Sequence, residues 1–159
     1  MRASTVFATL AATAAATPVA IRAADYQWDV TEWDAGCNND DCSYEFQITG
    51  AATGDYPARP AFSAACQGAS HDGNIATQYA PCTIKGDGVK GTLVSRLNKP
   101  AELLGSRTVV PIQVSFQFAD LTQDNTYWNY TGAANTTFNR GGFEPLSFTI
   151  KPTESFGIA

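Results

Sequence analysis

The chain contains a single histidine, His71, which lies in the polar segment 68–74. A serine or cysteine hydrolase needs a histidine base, a carboxylate that orients it, and a nucleophile on a shaped turn. The chain has no G-x-S-x-G sequence, and its cysteines are expected to be oxidised, so no thiolate is available. We therefore interpret His71 as a solvated loop residue and predict no nucleophilic catalytic centre.

Carboxylates offer a second route to catalysis, because most glycosidases use two of them at a fixed separation of about 5 to 9.5 Å. The available acids include Asp25, Asp29, Glu32, Asp34, Glu45, Asp55 and Glu102. Asp29 and Glu45 fall at outward positions of alternating segments, where a carboxylate is usually solvated. No spacing marks a catalytic pair, so we predict no catalytic residue and a protein that is not an enzyme.

Metal-ligand patterns are equally weak. Residues 38–41 match a calcium loop in composition, but the D-x-[DN]-x-[DN]-G register is absent, and the segment suits a tight turn. A zinc site would need a different cysteine spacing and more histidine. The glycines at 86–88 are typical of a hairpin turn, and Asp87 would repel a phosphate. We predict no metal and no cofactor.

The four cysteines are Cys37, Cys42, Cys66 and Cys82. An even number of cysteines in an oxidising compartment indicates disulfides. Three pairings are possible in principle. We predict that Cys37 pairs with Cys42 and Cys66 with Cys82, because each pairing closes a local loop rich in turn residues. Loop closure in the unfolded chain then contributes about 2 kcal/mol for the shorter loop and about 3 kcal/mol for the longer one.

The first residues are typical of an export signal. Arg2 supplies a positive start, residues 6–20 are rich in Ala and Thr without an acidic residue, and the composition changes at Asp25. We predict a signal peptide over residues 1–20, with cleavage anywhere from 16 to 24, and a single domain over 25–159. Small residues that suit cleavage are Ala16, Ala20 and Ala23. The export signal makes the expected location extracellular, and no later segment is apolar enough to cross a membrane.

The charge balance limits the possible partners. Fifteen acidic residues against ten basic ones give a formal net charge of −5, whereas nucleic acids and anionic membranes are bound through basic patches. We therefore predict that the protein binds neither nucleic acid nor a membrane. Two N-glycosylation sequons begin at Asn129 and Asn135.

Hydrophobic residues recur with period two, which indicates half-buried strands. The clearest segments are 26–31, 44–49, 112–118 and 146–151, and weaker ones are 60–66, 79–85, 89–97 and 125–131. The only helical hint is one turn at 100–104. The pattern predicts an all-β fold: a single compact antiparallel β-barrel or sandwich of about eight or more short strands, stapled by disulfides.

Aromatic residues outside this alternation are candidates for contact with a partner. If Asn129 points outward, Tyr127 does so too, while Trp128 and Tyr130 point inward. Trp33 breaks the alternation of the first strand, and Tyr56 lies in a loop punctuated by Gly and Pro. The candidate contacts are Trp33, Tyr56 and Tyr127.

The order of these features resembles the Alternaria major-allergen-like family of small secreted fungal proteins. The resemblance covers about residues 25–155 and rests on DYQWDVTEW at 25–33, YEFQI at 44–48, FSAAC at 62–66 and YAPC at 79–82. It implies a compact antiparallel β-barrel without a known catalytic centre. Members are allergens, elicitors or effectors that engage plant proteins or small phenolics.

The chain departs from the family's founding allergen in two ways. It lacks a further disulfide toward the C-terminus and an N-terminal cysteine that joins two subunits. We therefore expect a monomer without covalent dimerisation, and no binding residue is transferred by position. The expected function is that of a secreted, non-enzymatic effector or elicitor that binds a host protein or a small molecule. Two alternatives stay open: a barrel that carries an apolar phenolic or lipid, and a secreted cell-wall polysaccharide hydrolase or inhibitor.

Overall fold

The computed structural model describes residues 26–38, 41–70, 76–86, 88–99, 102–104, 107–120, 122–140 and 144–158. These residues form ten β-strands and no helix, which confirms the predicted all-β class. The strands are β1 (Trp28–Asn38), β2 (Asp41–Gly50), β3 (Phe62–Ser70), β4 (Ala80–Pro81), β5 (Thr83–Ile84), β6 (Gly91–Leu97), β7 (Glu102–Leu104), β8 (Arg107–Ala119), β9 (Tyr127–Thr137) and β10 (Leu146–Ile158).

The strands pair antiparallel in the order β4-β6-β8-β9-β10-β1-β2-β3-β5, with β7 paired to β8. The long strand β10 joins the two halves of this sheet. Its first part pairs with β1, from Leu146 to Ile150, and its second part pairs with β9 from Lys151 onward. A register shift between Pro152 and Glu154 bends the strand at the changeover. The sheet therefore curls into a nearly closed barrel.

A short segment closes the other side of the barrel. β4 pairs with β6 and β5 pairs with β3, so residues 80–84 lie between the two free edges. The Cys82 N–H donates to the Leu93 carbonyl at 2.8 Å, and the Lys85 N–H donates to the Ser63 carbonyl at 2.7 Å. The Cys66–Cys82 disulfide ties this segment to β3.

Both predicted disulfides are confirmed. Cys37 and Cys42 are directly paired residues of the β1–β2 hairpin, and their sulfurs are 2.04 Å apart. The sulfurs of Cys66 and Cys82 are 2.02 Å apart. Two intramolecular disulfides indicate an oxidising, extracellular type of environment.

The interior of the barrel is filled by large side chains from alternating positions, as the period-two pattern predicted. Phe62 and Phe116 lie with ring centroids 4.5 Å apart, and Phe118 stacks on Tyr130 at 5.8 Å. Burial of each such side chain contributes about 1.5 to 3 kcal/mol. The largest fully buried residues are Trp28, Trp33, Tyr44, Tyr130, Phe46, Phe116, Phe118, Ile48, Leu93, Leu97, Ile112 and Ile150.

The prediction that Trp33 is an exposed contact residue is wrong, because its side chain is 0% exposed. A bulge between Thr31 and Asp34 interrupts the pairing of β1 with β2. Glu32 takes a left-handed backbone conformation there, with φ of 56°. This extra residue reverses the alternation, so Trp33 points inward, and its indole N–H donates to the Thr137 carbonyl at 3.0 Å.

Asn139 holds this bulge from inside. Its Oδ1 accepts the Ala35 N–H at 2.9 Å, and its Nδ2 donates to the carbonyls of Trp33 at 2.8 Å and Glu144 at 3.2 Å. The side chain is only 2% exposed. One buried amide therefore satisfies two backbone groups of β1 next to the bulge.

The predicted helical turn at 100–104 is wrong for its described part. Glu102, Leu103 and Leu104 form β7, and Leu103 pairs with Thr108 of β8. A pairing edge offered by β8 outweighs the local helical preference of three residues.

Several predictions fall outside the described residues. They concern residues 100 and 101, the signal peptide 1–20 with its cleavage sites, Asp25 and His71. In the described part of the chain, no helix is long and apolar enough to span a membrane.

Candidate functional site

The predicted orientation of residues 127–130 is confirmed. Tyr127 is 46% exposed and Tyr130 is buried, while Trp128 is a half-buried neighbour of the core. Tyr127 therefore stays a candidate contact residue. Tyr56 does too, since its side chain is 60% exposed.

Phe156 lies on the same outer face as Tyr127. It pairs with Asn129, and Ile158 pairs with Tyr127, so Phe156 and Tyr127 are diagonal neighbours on one outer face, about 7 to 8 Å apart at Cα. The Phe156 ring is 51% exposed. We call Tyr56, Tyr127, Trp128 and Phe156 the aromatic rim.

Hydrogen bonds and ring contacts hold the Trp128 and Tyr56 side chains of the rim in place. The Trp128 indole N–H donates to Asp120 Oδ2 at 2.8 Å, and the Tyr56 ring meets the Trp128 ring edge-on at 6.0 Å. Gln123 Nε2 donates to the Tyr56 hydroxyl at 3.1 Å. Gly157 lets the Trp128 ring lie against the backbone of β10, because a Cβ there would be 3.1 Å from the ring.

Asp120 is held as a carboxylate at the base of the rim. The Thr122 hydroxyl donates to its Oδ1 at 2.6 Å, and the Trp128 N–H donates to its other oxygen. These donors lower the pKa of Asp120 below its usual value. Asp120 therefore stays ionised at neutral pH and accepts the Trp128 hydrogen bond as a carboxylate.

A small cleft of about 240 Å³ lies beside Tyr127. Lys90, Thr92, Gln117 and the backbone of Gly91 contribute to its walls. A side chain added at Gly91 would lie 2.5 Å from the Gln117 carbonyl oxygen, so the glycine keeps the two strands close at this point. The cleft is large enough to receive one side chain of a partner next to an exposed tyrosine.

A larger polar groove of about 780 Å³ crosses the outer face of β1, β2 and β3. Glu32, in the bulge of β1, contributes a carboxylate to the groove, and residues of β4 and β5 form one wall. The polar side chains that line it are Glu32, Asp34, Glu45, Gln47, Gln67 and Thr83.

Two of these acids are cross-strand neighbours, since Asp34 pairs with Glu45. Like charges directly opposite each other repel, and Arg140 relieves this repulsion. Its Nε donates to Asp34 Oδ1 at 2.8 Å, and its Nη1 donates to Ser43 Oγ at 2.6 Å. Among the described residues, Asp34 therefore has a cationic partner in Arg140, while no ion pair is formed by its neighbour Glu45.

The two sequons differ in their surroundings. Asn129 is half-buried, and its Oδ1 accepts the Ser115 hydroxyl at 2.7 Å. Asn135 is exposed and lines a cleft of about 300 Å³, where β9 and the first part of β10 diverge. Leu146 and Phe148 form the apolar side of that cleft.

Sequence reasoning missed Phe156 and the polar groove. The predicted strand ended at residue 151, and the alternation Leu146, Phe148, Ile150 would place residue 156 inward. The register shift after Pro152 reverses that alternation, and the proline was the only signal for it. Among the described residues, no group of three or more His, Cys, Asp or Glu side chains is arranged to hold a metal ion.

Comparison with known proteins gives no further guidance: no family model, no curated protein and no solved structure matches the chain.

Proposed function

We propose that the protein is a secreted, non-enzymatic effector or elicitor that binds a host protein through the aromatic rim. Two observations carry the proposal: Tyr127 and Phe156 are neighbours on the outer face of β9 and β10, and Tyr56 is held against Trp128, the residue after Tyr127. The rings of Tyr56, Tyr127 and Phe156 are 46% to 60% exposed. Exposed aromatic residues that lie together are typical of protein-binding surfaces.

The rigidity of the rim supports this role. Tyr127 and Phe156 belong to the central strands β9 and β10, and Tyr56 is oriented by its contacts with Trp128 and Gln123. Ordering a flexible side chain at an interface costs about 0.5 to 1.5 kcal/mol. Side chains that are already held lose less entropy, so a few of them can supply most of the binding energy.

Substitution of the rim tests the proposal. The variant Tyr127→Ala/Phe156→Ala and the wild type are immobilised and exposed to host extracellular proteins, and the dissociation constant of any captured protein is then measured with purified components. We expect the variant to bind at least about 30-fold more weakly, the loss typical of a binding hot spot.

Tyr79→Ala is the matched control. Tyr79 is also exposed, at 41%, but it lies away from the rim, where the Arg96 guanidinium stacks on its ring at 4.4 Å. The control should bind like the wild type. Equal affinity of the rim variant and the wild type would contradict the proposal.

A second candidate is a cell-wall polysaccharide hydrolase, which the adjacent carboxylates of Asp34 and Glu45 in the polar groove favour. Asp34→Asn and Glu45→Gln would each abolish nearly all turnover of a polysaccharide substrate if these acids were catalytic. Asp29→Asn, at an exposed position of the same strand, is the control. A wild type that releases no sugar from wall polysaccharides removes this candidate.

The alternative that the barrel carries an apolar phenolic or lipid has less support than the other two candidates. Trp28, Phe116 and Phe118 are fully buried and fill the interior, and a small barrel holds a ligand only if its side chains leave space. Titration of tryptophan fluorescence with phenolics and fatty acids checks this point, and saturable quenching would revive the carrier.

A further inference from the structure

We propose that the protein binds a small monovalent anion inside one end of the barrel, between Arg59, Tyr26, Trp28 and Tyr130. We call this place the Arg59 site. The inference goes beyond the proposed function and does not depend on the aromatic rim.

Arg59 enters the barrel from the loop between β2 and β3. Its backbone forms a bridge with Thr53, with N–O distances of 3.0 and 3.3 Å. Its side chain is 6% exposed. The guanidinium carbon lies 4.3 Å from the centre of the Tyr26 ring and 5.6 Å from that of Tyr130. A positive charge is therefore buried among aromatic rings.

This charge has little compensation. Arg59 Nε donates to the Thr53 hydroxyl at 2.7 Å, which is a neutral partner. Within the described part of the chain, Arg59 forms an ion pair with Asp55, and its Nη2 lies 3.9 Å from Asp55 Oδ2. The Asp55 side chain is 92% exposed. Such an exposed contact contributes little, and the aromatic rings offset only part of the desolvation cost. A buried charge generally requires a counter-charge.

Within the described part of the chain, four buried polar atoms of this cluster form no hydrogen bond of good geometry: Arg59 Nη1, Trp28 Nε1 and the hydroxyls of Tyr26 and Tyr130. Trp28 does lie close enough to the Tyr26 hydroxyl, and Arg59 to that of Tyr130, to oppose the rise in the pKa of each phenol. The rings that carry them touch, since Tyr26 lies 6.1 Å from Trp28 and 5.8 Å from Tyr130 between ring centroids. Guanidinium and indole nitrogens donate only, and a phenol hydroxyl can donate as well. A water molecule that accepts from Arg59 and Trp28 and donates to the two phenol oxygens would satisfy these groups but leave the charge of Arg59 uncompensated, whereas an anion accepts from every donor and also supplies the counter-charge.

The electrostatic surroundings favour the same occupant. Burial raises the pKa of Tyr26 and of Tyr130, while the charge of Arg59 opposes the increase at both hydroxyls. Both phenols therefore stay protonated donors at neutral pH and lie in the positive field of Arg59. One buried positive charge is neutralised by one negative charge, so a halide or a carboxylate group fits better than a divalent anion.

Anion-dependent stability provides the test. The midpoint of thermal unfolding is measured against sodium bromide and sodium formate at constant ionic strength, for the wild type and for Tyr26→Phe/Tyr130→Phe, which removes both hydroxyls but keeps the rings. We expect the wild-type midpoint to rise with anion concentration. The double variant loses two hydrogen bonds to a charged group and should bind the anion at least about 100-fold more weakly.

Arg59→Met should abolish the response, and Arg96→Met is its matched control, since Arg96 also stacks on a tyrosine but at the surface. If Arg59→Met does not fold, the double tyrosine variant decides. An equal response of all variants, or no response of the wild type, would overturn the proposal. In crystals soaked in bromide, an anomalous peak beside Arg59 Nη1 would support it, while water or a carboxylate of the chain at that position would overturn it.

Discussion

Replacement of Asn139 by alanine tests the account of how the β1 bulge is stabilised. The Asn139 amide bonds the Ala35 N–H at 2.9 Å and the Trp33 carbonyl at 2.8 Å. Asn139→Ala would leave both backbone groups without a partner next to the fully buried Trp33. Each buried unpaired group costs about 1 to 3 kcal/mol. The expected loss in the free energy of unfolding is therefore about 2 to 6 kcal/mol.

Urea unfolding with the disulfides intact measures this loss, followed by the fluorescence of the tryptophans. The control is Asn135→Ala in unglycosylated protein, because Asn135 lies in β9 only four residues before Asn139 but is exposed. We expect that control to change the free energy of unfolding by less than about 0.5 kcal/mol. A loss below about 1 kcal/mol for Asn139→Ala would refute the argument that the side chain supports the bulge.

Three further predictions follow from burial. Phe116→Ala should lower the free energy of unfolding by about 3 to 5 kcal/mol, whereas Phe156→Ala should change it by less than about 1 kcal/mol in the same urea assay. In a eukaryotic secretory host, peptide mass mapping should find a glycan at Asn135 in more molecules than at Asn129, whose amide is already bonded inside the sheet. The free energy of unfolding should fall as pH rises above about 10, because the unfolded state then loses tyrosine protons that the folded state retains. Titration of the phenolate absorbance, together with denaturation midpoints measured over the same pH range, checks this prediction. The tyrosines with a raised pKa are Tyr26, Tyr44 and Tyr130.

The strands were predictable wherever side chains alternate between core and solvent. The segments around Tyr44 and Phe116 follow strict period two, and the structure places those residues inside. The disulfides were predictable for a related reason, since Cys37 and Cys42 are close enough along the chain to meet across one hairpin.

The errors lie at places where pairing between distant strands changes the alternation. Trp33 is turned inward by the bulge at Glu32, and Phe156 is turned outward by the register shift after Pro152. Bulges depend on what the neighbouring strands require, so a single segment carries little sign of them. The helical turn predicted at 100–104 fails for a different reason, because residues 102–104 pair with residues 107–109 in a local hairpin that so short a segment does not indicate by itself.

The buried position of Arg59 could not be predicted from the sequence either. The residue occupies a loop rich in turn residues, where an arginine is expected to be solvated. Its burial follows from the packing of the loop over Tyr26 and Tyr130, which belong to opposite ends of the chain. The polar groove has a similar origin, because it joins side chains from β1, β2, β3 and the segment that closes the barrel.

Hydroxyl-radical footprinting in the presence of host extracellular proteins tests the central claim most directly. The oxidation rates of Tyr56, Tyr127 and Phe156 are compared with that of Tyr79, all of which are exposed in the free protein. The account predicts that the host proteins slow oxidation of the three rim residues and leave Tyr79 unchanged. Unchanged rates at the rim, or protection confined to the polar groove, would contradict it.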